Sequence, residues 1–268
     1  MFSNPKYPKF LIWIAPFFLC ILKFTEIVFS PNSYLFNNSG DSLRTYYAFL
    51  YYIRHNQSWF NFEGMNHPYG EHILYTDLVA GIALPLKFLS TVYPFILGNE
   101  LMILNYALLV SFVLQFVFLY KIGEFYGLKG WLLLFGILAL GLISPQAARL
   151  YAHPGLAFVA VLPAAWWLYI KFKSSGKKRY GILLFTLILF ALFLHPYLGF
   201  IAFSFLFLFA VIEAISYKNF KQFLGLAFIL ILPLLIFNLF VKLTDFHPDR
   251  PVRYLDFVYY IADIKIFT

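Results

Sequence analysis

Asp41 stands in Ser39-Gly40-Asp41-Ser42, where the first long apolar run has ended and an aromatic, helix-like stretch begins. Around it 62% of the chain is hydrophobic and only 12% charged. A carboxylate beside a bilayer is costly to keep ionised and is usually there for a function. The bland alternative is a helix N-cap, since a helix-like run follows it. A second polar concentration runs from Phe62-Glu63-Gly64 through His67-Pro68-Tyr69-Gly70-Glu71-His72 to Tyr75-Thr76-Asp77. Its Gly and Pro residues make turns, so its acids and imidazoles can point in several directions. His67, Glu71, His72 and Asp77 are candidates for an acceptor or cation site. Glu71 and His72 are adjacent and would diverge in any regular element, so no closed zinc set is evident. A loosely held divalent cation is the one cofactor these side chains suggest. Two further polar turns, Arg149-Leu150-Tyr151-Ala152-His153 and His195-Pro196-Tyr197-Leu198-Gly199, lie at the ends of apolar runs.

The elements that must position these residues are membrane spans. Each needs about 20 apolar residues to cross a ~30 Å hydrocarbon core. Seven runs qualify, near 10–30, 101–120, 131–150, 156–172, 180–196, 197–216 and 222–241. An eighth, 78–97, is interrupted by Pro85, Lys87 and Pro94 and reads as a helix lying in the interface. Basic residues set the orientation. With the N-terminus cytoplasmic, Lys121, Lys129, Lys171, Lys173, Lys177, Lys178 and Arg179 fall inside. Asp41, Glu63, Glu71, Asp77 and every histidine then fall outside. The outer loop 31–100 is long and aromatic rather than charge-biased, which marks a functional cap and not a disordered linker. In it, Leu43, Tyr46, Tyr47, Leu50, Tyr51 and Arg54 recur at helical spacing, as in an interfacial amphipathic helix. The expectation is an all-α, polytopic protein, a single membrane domain over 1–268 with the outer loop as its cap.

The formal charge of +8 does not point to nucleic acid, because the cations sit in short loops between apolar runs. Lys6 and Lys9 before an apolar stretch look like a signal peptide, but no small-residue cleavage site follows, which favours an uncleaved anchor. Cys20 is the one cysteine, so no disulfide framework exists.

A first anchor, Gly40-Asp41 at its outer end, an aromatic helix, and Pro68-Tyr69-Gly70 leading into an interfacial helix resemble the type C glycosyltransferases. These are multispanning enzymes that use polyprenyl-phosphate-linked sugars, among them the protein O-mannosyltransferase and aminoarabinose transferase families. The turns at Ser144-Pro145-Gln146 to His153 and at His195-Pro196 follow in matching order. The resemblance implies that Asp41 is the general base on the acceptor. It implies a phosphate site for the donor, for which Arg149 leads, with Arg54, His153 and His195 behind it. It implies a polyprenyl-phosphate sugar as donor, an apolar groove for its tail, and a glycan, lipid or protein as acceptor. The implied location is the bacterial inner membrane with an extracytoplasmic active face. Two departures stand out. Ser42 occupies the place where some subfamilies carry a second acid, and family members continue past a seventh span, so the chain corresponds to a minimal version or an N-terminal part. The alternatives are a transporter or lipid flippase, and a non-catalytic partner in envelope-polymer assembly.

Overall fold

The computed structural model describes residues 11–218 and 220–247. Regular structure in the described chain is nearly all helical. α1 (Leu11–Lys23) and α2 (Thr25–Phe29) lead through a loop into α3 (Gly40–Arg54). A two-stranded antiparallel hairpin, β1 (Asn61–Phe62) with β2 (Glu71–His72), precedes α4 (Ala80–Val92). Then follow α5 (Glu100–Phe125), α6 (Gly130–Ile143), the short α7 (Pro145–Ala148), α8 (Val161–Ser175), α9 (Lys178–Leu194), α10 (Pro196–Tyr217) and α11 (Phe220–Thr244).

Four segments among the described residues are long and apolar enough to cross a membrane: Glu100–Phe125, Pro154–Ser175, Pro196–Tyr217 and Phe220–Thr244. A fifth arises if Gly130–Ile143 and Pro145–Tyr151, bent by 45°, act as one. Pro145 causes that bend, because it cannot donate into the preceding turn. The expected first span, 10–30, corresponds in its described part to two short helices meeting at Phe24, with Pro16 inside the first. The run 78–97 forms the 13-residue α4 followed by a 3₁₀ turn at Pro94–Ile96. At ~1.5 Å per residue α4 is about 20 Å long, short of a full span.

The described helices pack around three hydrophobic clusters. One core gathers Phe24, Phe36, Tyr46, Phe49, Phe112 and Phe116 between α1, α3 and α5. A second joins α8 to α11 through Tyr169, Leu184, Ile188, Leu206 and Leu230, and a small third holds Leu133, Leu134 and Ile137 of α6. α3 buries Thr45, Tyr46, Phe49, Tyr52 and Ile53 while Leu43 and Tyr47 stay exposed, so its buried stripe is rotated from the expected one. Polar struts pin it. Tyr46 donates to buried Asn105 at 2.6 Å, and Asn105 in turn donates to the carbonyls of Pro31 and Tyr34. Buried Lys87 of α4 donates to the carbonyls of Asn56 and Ser58 at 2.7 and 2.6 Å and lies over the rings of Tyr52 and Trp59.

Candidate functional site

The start of α3 is built around Gly40, whose φ of +55° lies in the left-handed region that glycine adopts without strain. Ser39, not Asp41, takes the N-cap position, with no side-chain cap hydrogen bond there. Asp41 therefore sits exposed in the first turn, where a negative charge suits the helix dipole. The loop before it is tied to a distant turn. Ser39 Oγ donates to Asn37 Oδ1, and Asn37 Nδ2 donates to the Tyr151 carbonyl at 2.7 Å. That bond holds the Asp41 end of α3 beside the Arg149–His153 turn.

Asp77 reaches the same place from the hairpin side. Thr76 closes the preceding 3₁₀ turn by donating to the Ile73 carbonyl at 2.9 Å. Asp77 and Val79 both adopt left-handed backbone, at φ of 57° and 56°. For the β-branched, buried Val79 this is a strained conformation, of the kind that persists where surrounding structure enforces it. α4 then runs so close to the end of α9 that a Cβ on Gly81 would come within 3.1 Å of the Leu194 backbone nitrogen. Leu194 is followed by His195, the N-cap of α10, whose Nδ1 accepts the Tyr197 N–H at 3.3 Å. Pro196 fills the first helical position, where no N–H is needed.

Four side chains converge as a result. Asp77 Oδ1 lies 3.5 Å from His195 Nε2 and 3.8 Å from His153 Nε2, and Asp77 Oδ2 lies 3.9 Å from Arg44 Nε. The two imidazole rings meet edge to face at 5.0 Å, and Gly155 leaves the room they need, since a Cβ there would sit 3.1 Å from His195 Cδ2. Burial pushes the Asp77 carboxyl up, but His195, His153 and Arg44 outweigh it and hold Asp77 below its ordinary range. His153 is held below its ordinary value chiefly by burial, which outweighs the attraction of Asp77. Asp41 and Arg149 are also within electrostatic reach of His153. Arg149 is exposed and forms no ion pair among the described residues.

One atom each from Asp77, His153 and His195 lie within 4.8 Å of one another, close enough to share a divalent cation. Two imidazoles and a carboxylate with an open position form a recognised ligand set. The tautomer of His195 weighs against it. Its Nδ1 accepts the Tyr197 N–H, which leaves the proton of the neutral ring on Nε2, facing Asp77. Cation binding through Nε2 would therefore disturb the α10 cap. The geometry suits a proton-bearing Asp–His pair better than a metal.

The expected phosphate set and acceptor set are thus partly merged and partly dispersed. Asp41, Arg149, His153 and His195 come together, and Asp77 joins them. Arg54 does not: its guanidinium grips buried Glu100 with two bonds of 3.0 and 2.9 Å, which tie the end of α3 to the start of α5. The set His67, Glu71, His72 and Asp77 is not assembled either. Pairing of β1 with β2 sends Glu71 and His72 to opposite faces, and buried His72 contacts Thr244 Oγ1 at 2.9 Å. Glu71 accepts from the His72 N–H and from Asn66, and His67 is exposed in the hairpin loop.

Residues 11–263 match a family described as a domain of unknown function, DUF6311. The chain belongs to that family. No curated protein and no solved structure matches it. In this DUF6311 chain the site residue that sequence reading passed over is Arg44. Its signal was its position three residues after Asp41, one turn along the same helix face.

Proposed function

We propose that this chain is a membrane glycosyltransferase that moves a sugar from a polyprenyl phosphate to a hydroxyl or amine acceptor at the outer membrane face. The observation that carries the reading is that Asp41 and Arg149, neither in an ion pair among the described residues, lie within electrostatic reach of a half-buried Asp77–His153–His195 centre. The acceptor oxygen or nitrogen bonds to the anomeric carbon as the bond from that carbon to the phosphate oxygen breaks. Asp41 takes the acceptor proton, and the departing phosphate keeps the electron pair. Arg149, with Arg44 nearby, holds the phosphate through charge-assisted hydrogen bonds. Asp77 touches neither reactant in this scheme. It fixes the two imidazoles and pairs with Arg44. The likeness to type C glycosyltransferases supports the same assignment of Asp41.

The topology that goes with this function has seven spans, with α1 and α2 together as the first and the 17-residue α9 as a short fifth. It places the N-terminus in the cytoplasm of a bacterial cell and the site on the far side of the inner membrane. Purified chain in proteoliposomes, given polyprenyl-phosphate sugars and glycan, lipid or protein acceptors, should release the lipid phosphate and form a glycosylated product detectable by mass spectrometry. Arg149→Ala should lower the rate by about 10²-fold, and Arg149→Lys should recover part of it, because lysine cannot make the paired bonds. Native rates in both variants would remove Arg149 from the mechanism. The bend before Arg149 favours a second reading, a transporter or lipid flippase, since broken helices line such sites. Lipid movement across the bilayer without any transfer would select it.

A further inference from the structure

An apolar groove of about 750 Å³ runs between α5, α8 and α9, apart from the site described above. Along α9 it extends from Tyr180 to Leu194, about 21 Å at ~1.5 Å per residue. A single leaflet of a ~30 Å hydrocarbon core is about 15 Å deep, so the groove takes a lipid chain from interface to tip. Its walls are Val110, Leu114, Ala164, Leu183 and their neighbours, and its two ends differ. The Leu194 end, nearest the Asp77 site, is lined by Ile82 and Phe158 and by no cation. The other end carries Lys121, Trp167 and Tyr180. There Lys171 lies over Trp167 at 4.8 Å, and Arg179 covers the Tyr180 ring while donating to its hydroxyl at 2.9 Å. Lys171 and Lys177 stand within electrostatic reach of Tyr180. Two acids at this end of the bundle are already engaged, Glu213 by Lys173 and Tyr169, and Glu124 by Tyr120. No carboxylate pairs with Lys121, Lys171, Lys177 or Arg179 among the described residues.

We infer that the groove holds one acyl chain of an anionic phospholipid, drawn from the leaflet on the Lys171–Arg179 side, with its phosphate among Lys121, Lys171, Lys177 and Arg179. Charge fixes the direction. A polyprenyl phosphate serving Arg149 would need its cations at the Leu194 end, where the groove has none. Basic pockets between spans, flanked by Trp and Tyr at headgroup level, are the setting in which such lipids bind. The site stands independently of any glycosyl transfer.

The test uses the full chain, delipidated and then given phosphatidylglycerol or phosphatidylcholine with identical acyl chains. Native mass spectrometry counts the bound lipid, and thermal unfolding reads its effect. Phosphatidylglycerol should be retained preferentially and should raise the unfolding temperature more, and salt should shrink the difference. Lys121→Gln, Lys171→Gln and Arg179→Gln should each weaken retention roughly fivefold. Leu183→Trp, which fills the groove without touching charge, should lose the bound lipid while folding normally. Equal retention of the two lipids overturns the inference. So does retention that survives the three Gln substitutions and fails in Arg149→Gln, because the headgroup would then sit at the opposite end. If the Gln variants do not fold, the salt dependence and Leu183→Trp decide the matter alone.

Discussion

Asp77 and His153 are coupled, and their coupling has a sign. Each is held below its ordinary value, 3.8 for Asp77 and 6.5 for His153, so the folded chain binds these protons less readily than the unfolded one. Their stabilisation is present above those ordinary values and is lost as pH falls through the lower folded ones. The unfolding temperature should therefore begin to drop below about pH 6.5 through His153 and drop further at strongly acid pH through Asp77. His153→Gln should flatten the first part of that decline, measured as unfolding temperature against pH beside the native chain. An unchanged slope would mean that burial does not hold His153 below its ordinary value. Sequence reading found every member of this cluster except Arg44, yet sorted Asp77 with its neighbours His67, Glu71 and His72. Adjacency misled because the partners of Asp77 lie at positions 153 and 195, and only tertiary packing brings them near. Arg54 misled for the opposite reason, since an exposed-looking arginine on an amphipathic helix gave no sign that Glu100 would claim it.

Helices and turns hold that cluster in place through a few close approaches. Gly81 meets the backbone at the end of α9 with no room to spare. Gly81→Val should lower stability by about 1–3 kcal/mol through overpacking, and should separate Asp77 from His195. Calorimetry on the two chains checks the first effect, and a shallower acid-side decline checks the second. Asn37→Ala removes the bond to the Tyr151 carbonyl that draws Asp41 toward His153. It should cost only about 0.5–1.5 kcal/mol while reducing transfer severalfold, a split visible when unfolding and product formation are measured on the same preparation. Loss of stability with full activity would mean that the tether does not position Asp41. The long uninterrupted elements were legible in advance: 101–120, 197–216 and 222–241 became α5, α10 and α11, longer by a few residues at most at each end. The interrupted ones were less so. Pro145 bends 131–150 after Ile143, and the run 10–30 is divided at Phe24, because apolar composition records burial in lipid and says little about where a backbone turns.

Across the whole molecule, His153 and the Lys171–Ser175 region stand at opposite ends of the apolar segment Pro154–Ser175, of which the helix α8 alone is about 22 Å long at ~1.5 Å per residue. The helix α11 returns to the site end, where Thr244 meets His72. Single cysteines at Tyr69, in the exposed hairpin loop, and at Ser175 should thus label from opposite sides of the membrane, with Tyr69 outside. The native Cys20 is buried and contributes little background. Labelling of both from one side would dismantle the proposed outward-facing site. The proposed function rests on Asp41, which provides no side-chain cap for α3, so changing it should cost stability no more than about 1 kcal/mol. The decisive measurement is sugar transfer from a polyprenyl phosphate by the Asp41→Asn chain, read beside its unfolding temperature. A loss of transfer on the order of 10²-fold or more with near-native unfolding is the result expected of a positioned base. An Asp41→Asn chain that folds normally and transfers sugar at the native rate would contradict it.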